Sequence, residues 1–332
     1  MHFFQFFRHT FHFEYNKIFM HRLLKGEVMN QGPGKAHLEV ALACMIYGMA
    51  GLFLAHINGM GTGAVLFYEM LIGLLTILVY LAARGRLSEL RLGGKKGYLF
   101  LLGVLICITF FSYFTAIRLT CVSVAVLLQY TSPIYVTLLS PLILKEKVNS
   151  RSYLALLLAL AGVFLVVRPE SGFSGLELEG NYRTGLMFGL LSGLAYAAVI
   201  LNIRYLKDEY PEMAVAFWPL VVIVLLTAPL ALEVPAKVVL ENLEVLLLFG
   251  LISGGLGEIL YTEGLSGVEA QVGSILALVE PVSGIFFDFI VLGVSLYLNT
   301  FLGCVLILAA GLLVSLENFR GISGNVNQES ET

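Results

Sequence analysis

The sequence predicts an all-α integral membrane protein with ten transmembrane helices arranged as two inverted five-helix repeats. Three observations carry that expectation. The 332 residues are 58% hydrophobic and only 13% charged, with mean hydropathy +0.88; about a quarter of a soluble domain is charged. The apolar residues are gathered into segments long enough to cross a bilayer. The basic residues alternate between connections as the positive-inside rule requires.

The segments are 37–56, 62–83, 97–117, 122–143, 150–168, 183–202, 212–232, 242–262, 270–291 and 297–316. Several connections are very short, as in tightly folded helical hairpins. With the N-terminus in the cytoplasm, the inner segments hold sixteen of the 20 Lys and Arg residues, including Arg84, Arg86, Lys95, Lys145 and Arg204. The outer segments hold Arg118, Arg168, Arg183 and Lys237. An odd number of spans would scramble this alternation. The expectation is therefore a multi-pass protein of the cytoplasmic membrane with both termini inside.

Five helices followed by five helices means the second half starts from the opposite side. Sequence self-similarity coincides with that division. Ser132-Pro133 lies in the middle of the fourth span, Glu280-Pro281 in the middle of the ninth, and the two prolines are 148 residues apart. Ala161-Gly162 aligns with Ala310-Gly311 after a one-residue slip. Each proline removes a backbone donor and interrupts its helix. Paired interrupted spans at matching places in two halves point to a transport site, with Pro133 and Pro281 as helix breaks and gating elements.

The expected organisation is an N-terminal cytoplasmic segment (1–36), a first repeat (37–168), an external linker (169–182), a second repeat (183–316) and a polar cytoplasmic tail (317–332). In the first segment Phe3, Phe4, Phe6, Phe7, Phe11 and Phe13 alternate with His and Arg. Charges interrupt any apolar core, which excludes a signal peptide. An interfacial helix and a true start at Met20 or Met29 both remain open. Cys44, Cys107, Cys121 and Cys304 show no metal spacing and read as small buried hydrophobes. No basic surface suits nucleic acid, and no cofactor motif is present.

The run Ala116-Ile-Arg-Leu-Thr-Cys-Val-Ser-Val-Ala, continued by Ser132-Pro133-Ile-Tyr-Val and Lys145-Glu146-Lys147, resembles the end of an EamA repeat. Leu278-Val279-Glu280-Pro281-Val282 through Leu292-Gly293 is similar to the second repeat of such a pair. The resemblance, to the drug/metabolite transporter superfamily, covers about 37–316 and implies ten helices in two inverted repeats. Two departures stand out. The glutamate that commonly closes the run is Glu146 in the first half but Val294 in the second, and Phe67-Tyr68 is followed by Glu69 where the resemblance would place an arginine.

Polar groups at membrane depth supply the candidate site. Glu280, halfway along its span, would cost about 2.5–3.5 kcal/mol if ionised and unpaired. It reads either as a proton-coupling or amine-binding carboxyl, or as a partner for backbone groups freed by Pro281. Glu258 shares a helix face with Tyr261 and Thr262 and is expected near the cytoplasmic end of its span, where it could snorkel. Glu69 is expected either to face a cavity or to pair with an outer-end arginine, and Asp288 to be interfacial. Gln129, Tyr130 and Ser132 lie opposite Glu280 in the repeat alignment. With Tyr47, Tyr196, Asn202 and Trp218 they would line a pocket for a small solute, although any one of them alone is more often a packing residue. Gly185, Gly189 and Gly193, and Gly250 with Gly254, read as close-packing stripes.

The function these features predict is secondary transport of a small organic metabolite by alternating access, as export or exchange. An amino acid, or a related zwitterion or cation, is the expected cargo. No basic residue lies deep in a span, which argues against polyanions. No GxxxxGK[ST] is present, so the energy is expected from an ion gradient, protons included, or from the solute's own gradient. A channel or scaffold is the alternative. Gly264-Leu265-Ser266-Gly267 also reads as a GxSG nucleophile motif, but no histidine follows it to act as base, and Ser266 is expected in a loop.

Overall fold

The computed structural model describes residues 34–120, 122–167, 181–291, 293 and 297–329. Expectations for residues 1–33 and 168–180, for Cys121 and Val294, and for side chains beyond residue 315 lie outside the described residues. Among these residues the chain forms ten apolar helices: α1 (Lys35–Leu54), α2 (Thr62–Ala83), α3 (Lys96–Leu119), α4 (Val124–Ile143), α5 (Ser150–Val166), α6 (Asn181–Leu206), α7 (Glu212–Leu232), α8 (Ala236–Gly267), α9 (Ala270–Val291) and α10 (Leu298–Ser315). All but α5, the shortest, are at least 18 residues long. Large apolar side chains such as Val79, Leu157 and Leu225 point outward, as a lipid-facing surface requires.

Both interrupted helices break at the residues just before their proline. In α4 a first half ending at Gln129 gives way to a second running Ser132–Ile143, with Pro133 in its first turn. In α9 the halves are Ala270–Leu276 and Val279–Val291, with Pro281 in the first turn of the second. A first turn is where the missing proline N–H has no intrahelical partner to lose. The hydroxyl of Thr131 bonds the Leu128 carbonyl at 2.6 Å beside the first break.

The repeats exchange partners across the bundle. α1 and α2 of the first half pack on α8 of the second, and α1 also packs on the second half of α9. Conversely α6 and α7 of the second half pack on α3 of the first, and α6 also packs on α4. Two walls result, α1–α2–α8–α9 and α3–α4–α6–α7, with α5 and α10 paired beside them. The glycine stripes sit at these crossings. A Cβ on Gly254 would strike the Glu69 carbonyl of α2, and one on Gly193 would strike the Leu128 carbonyl beside the α4 break.

One boundary needs correcting. The eighth span is not 242–262 but the longer Ala236–Gly267, and Gly250–Gly257 is wound as a π-helix inside it. π segments are uncommon and tend to mark functional positions.

Candidate functional site

A cavity of about 180 Å³ lies between the two walls. One wall brings Glu69 from α2, Ser253 and Glu258 from α8, Tyr47 from α1 and Glu280 from the α9 break. The other brings Thr109, Phe110 and Tyr113 from α3, Gln129 from α4 and Tyr196 from α6. The three carboxyls all belong to the first wall, and no Lys, Arg or His lines the cavity among the described residues.

Each carboxyl is held by a hydroxyl. Ser253 Oγ donates to Glu69 Oε1 at 2.7 Å, and the Tyr47 hydroxyl donates to Glu258 Oε2 at 3.0 Å. Tyr130 is the side-chain partner of Glu280. Tyr47 also meets the ring of Tyr261 edge-on at 5.6 Å, and the Tyr261 hydroxyl bonds that of Tyr196 at 2.9 Å across the two walls. Polar groups buried in lipid-depth protein need such partners. A hydroxyl can satisfy a carboxyl whether or not it carries its proton, because it donates or accepts as required.

The sequence-derived candidates divide. Glu69, Glu258, Glu280, Gln129, Tyr47 and Tyr196 come together around the cavity. Tyr130 stands behind Glu280 rather than in the lining. Ser132 is buried in the α4 break and does not line the cavity. Trp218 points away, its indole N–H donating to the Leu90 carbonyl in the α2–α3 connection at 3.0 Å. Asn202 bonds the Tyr98 carbonyl at 3.3 Å, at the start of α3. Two environments differ from expectation. Glu258 does not snorkel at a span end, since the longer α8 carries it inside the cavity. Glu69 is paired with Ser253 and not with an outer-end arginine. Asp288 is partly exposed on the second half of α9. Ser253, Tyr113 and Thr109 were not singled out from sequence. Tyr113 carried a usable signal, because it lies 148 residues before Tyr261. Ser266 is in the last turn of α8, not a loop, and its hydroxyl is engaged by the Thr262 carbonyl at 2.9 Å.

The model of the EamA-like transporter family matches residues 34–168 and again 183–316. The chain belongs to that family. An uncharacterized transporter of Archaeoglobus fulgidus is 29% identical over 287 residues, covering 82% of this chain and 94% of its own. The pseudopaline exporter CntI of Pseudomonas aeruginosa is 29% identical over 211 residues, covering 63% and 70%. Mouse solute carrier family 35 member G1 is 23% identical over 264 residues, covering 77% and 71%. A protein of known crystal structure shares the fold with a TM-score of 0.74 at 20% identity, covering 86% of this chain and 98% of its own. This EamA-type protein is thus a multi-pass transporter.

Proposed function

We propose that this EamA-type protein moves a small organic solute by alternating access, as an exporter or exchanger, and that the cargo presents a cationic amine. An amino-acid-like zwitterion bound through its ammonium end fits the same description. The observation that carries the reading is the charge of the cavity: three carboxyls and no facing base. An ionised carboxylate there needs a positive partner. A bound amine supplies one, and a proton on the carboxyl removes the need. Cargo and protons therefore compete for the same groups, which is the basis of exchange. The tyrosine and phenylalanine rings opposite offer faces to an ammonium group. A polyanion would meet three carboxyls and, among the described lining residues, no base. The name of the Pseudomonas relative supports the outward direction. The Lys/Arg distribution supports a cytoplasmic location for the α2–α3, α4–α5 and α6–α7 connections and for both termini.

The test is flux in proteoliposomes loaded with separate labelled pools of amines, zwitterionic amino acids, nucleosides and organic anions, with and without a pH gradient. Saturable release of the amine or amino-acid pool, accelerated by the gradient, is the expected result. Release confined to the anions would overturn the cargo assignment. Unsaturable release of every pool would replace the carrier with a channel.

A further inference from the structure

The end of the bundle that carries most basic residues is closed by a polar joint outside the cavity. Glu146, just beyond α4, and Arg204, near the end of α6, form an ion pair with Nε and Oε1 2.7 Å apart. Their side chains are 13% and 11% exposed, respectively. Both come from the α3–α4–α6–α7 wall, and each also reaches the opposite wall. The second carboxylate oxygen of Glu146 accepts the backbone N–H of Ala270 at 2.8 Å. Ala270 is the first residue of α9, so this donor has no partner within its helix, and an anion suits a helix N-terminus. A terminal nitrogen of Arg204 donates to the Ser266 carbonyl, in the last turn of α8, where a cation suits the helix end for the same reason. Beside them Gln271 of α9 donates to the Lys147 carbonyl at 3.0 Å and accepts from Ser140 Oγ at 3.1 Å.

We propose that Glu146 and Arg204 are the latch of the transport cycle: they hold the ends of α8 and α9 against α4 and α6, and they must let go before the cavity can open at the basic end. Every group in this joint has a ready substitute in water, so parting it exchanges protein hydrogen bonds for hydration instead of exposing an apolar seam. The geometry is also directional. The cavity lining reaches exposed Leu54 and Thr62 at the opposite end but stops against buried Ile203 and Tyr261 on the latch side. In the sequence the counterpart of Glu146 is Val294, so the second half supplies no carboxylate for a matching latch. Among the described residues no matching ion pair closes the other end, which weights the empty protein toward opening there.

The inference rests on the alternating-access reading, but its test needs no cargo, so the two can fail separately. Ile203→Cys places a thiol in the cavity just inside the latch. Its labelling by a membrane-impermeant maleimide, read by mass spectrometry at that residue, is measured from each face of the vesicle. With the latch intact, labelling should come from the face opposite the basic connections. Glu146→Gln and Arg204→Gln should each speed labelling from the basic face by about tenfold, the scale of one hydrogen bond to a charged group. The exchange E146R/R204E restores an ion pair but neither the acceptor for Ala270 nor the donor to Ser266, so labelling should stay fast. An unchanged basic-face rate in Glu146→Gln at parental melting temperature would overturn the proposal. So would a return to the parental rate in the exchanged pair, which would make the pair an ordinary brace. If Glu146→Gln does not fold, Gln271→Ala carries the test: a faster basic-face rate supports the latch and an unchanged rate overturns it.

Discussion

The two walls of the cavity are built from the same repeat, and they have diverged in charge while keeping their aromatic frame. Carrying the 148-residue offset of the prolines through the fold sets Tyr261 against Tyr113, and the one-residue slip sets Tyr47 against Tyr196. All four tyrosines line the cavity. The carboxyls have no such counterparts. Glu280 falls against Ser132, Glu258 against Phe110, and Glu69 against the Phe217-Trp218 pair. The tyrosines thus mark what both walls need, a ring face and a hydroxyl in a dry site. The carboxyls mark what one wall does alone. Because α8 and α9 pack with α1 and α2, acids from both halves of the chain gather on one side.

The largest effect should come from removing that asymmetry. Glu280→Gln keeps the shape and a hydrogen-bonding partner for Tyr130 but can neither bind a proton nor carry charge. Gradient-driven flux should fall by about tenfold or more, the scale of a charge-assisted hydrogen bond, while exchange of cargo for cargo continues. The counterpart substitution, Ser132→Ala, should leave gradient-driven flux far closer to wild type. Equal gradient-driven rates in Glu280→Gln and wild type would remove Glu280 from coupling.

The next effect is on stability and concerns how each wall is joined. The acidic wall depends on a backbone-to-backbone approach of α2 and α8. A Cβ on Gly73 would collide with the Gly254 backbone, and one on Gly254 with the Glu69 carbonyl. Gly254→Ala should cost about 1–3 kcal/mol, the usual penalty of overpacking, and lower the melting temperature in detergent. It would also press on the residue that holds Ser253 against Glu69. Gly51→Ala is the control, because a Cβ there meets nothing within 4 Å. Alanine in place of an unhindered helical glycine should be neutral or add up to about 1 kcal/mol. Equal melting temperatures for the two variants would contradict the close crossing.

How much of this was legible in the sequence depends on what fixed each feature. The helix breaks were legible because each stands just before a proline placed at the same point of both repeats; proline alone did not decide them, since Pro219 and Pro229 lie inside an unbroken α7. The carboxyl depths were only partly so. Hydropathy placed Glu258 near a span end because the apolar run fades at Thr262-Glu263, whereas the helix itself continues to Gly267. Trp218 was assigned to the cavity on its amphipathic character, yet an indole N–H takes whichever acceptor packing brings near, here the Leu90 carbonyl. Ser253 gave no signal, because its role exists only where α2 crosses α8. The gathering of three acids on one wall follows from the exchange of partners between repeats, which no local pattern encodes.

The smallest effect tests whether the shared tyrosines join the walls or merely furnish them. The Tyr261–Tyr196 hydroxyl pair is a direct bridge between the walls at cavity depth, and neither ring gives up its packing if the oxygen is removed. Tyr261→Phe should therefore cost about 1 kcal/mol in whichever state keeps the bridge. If the bridge belongs to the form closed at the basic end, its loss should favour opening there, and Ile203→Cys should label about fivefold faster from the basic face. Tyr113→Phe removes the inverted counterpart, whose hydroxyl makes no such bridge to another tyrosine among the described residues, and should leave that rate unchanged. Identical behaviour of the two variants would mean the tyrosine frame is structurally equivalent on both sides, leaving the asymmetry of the walls to features such as the acids and the latch.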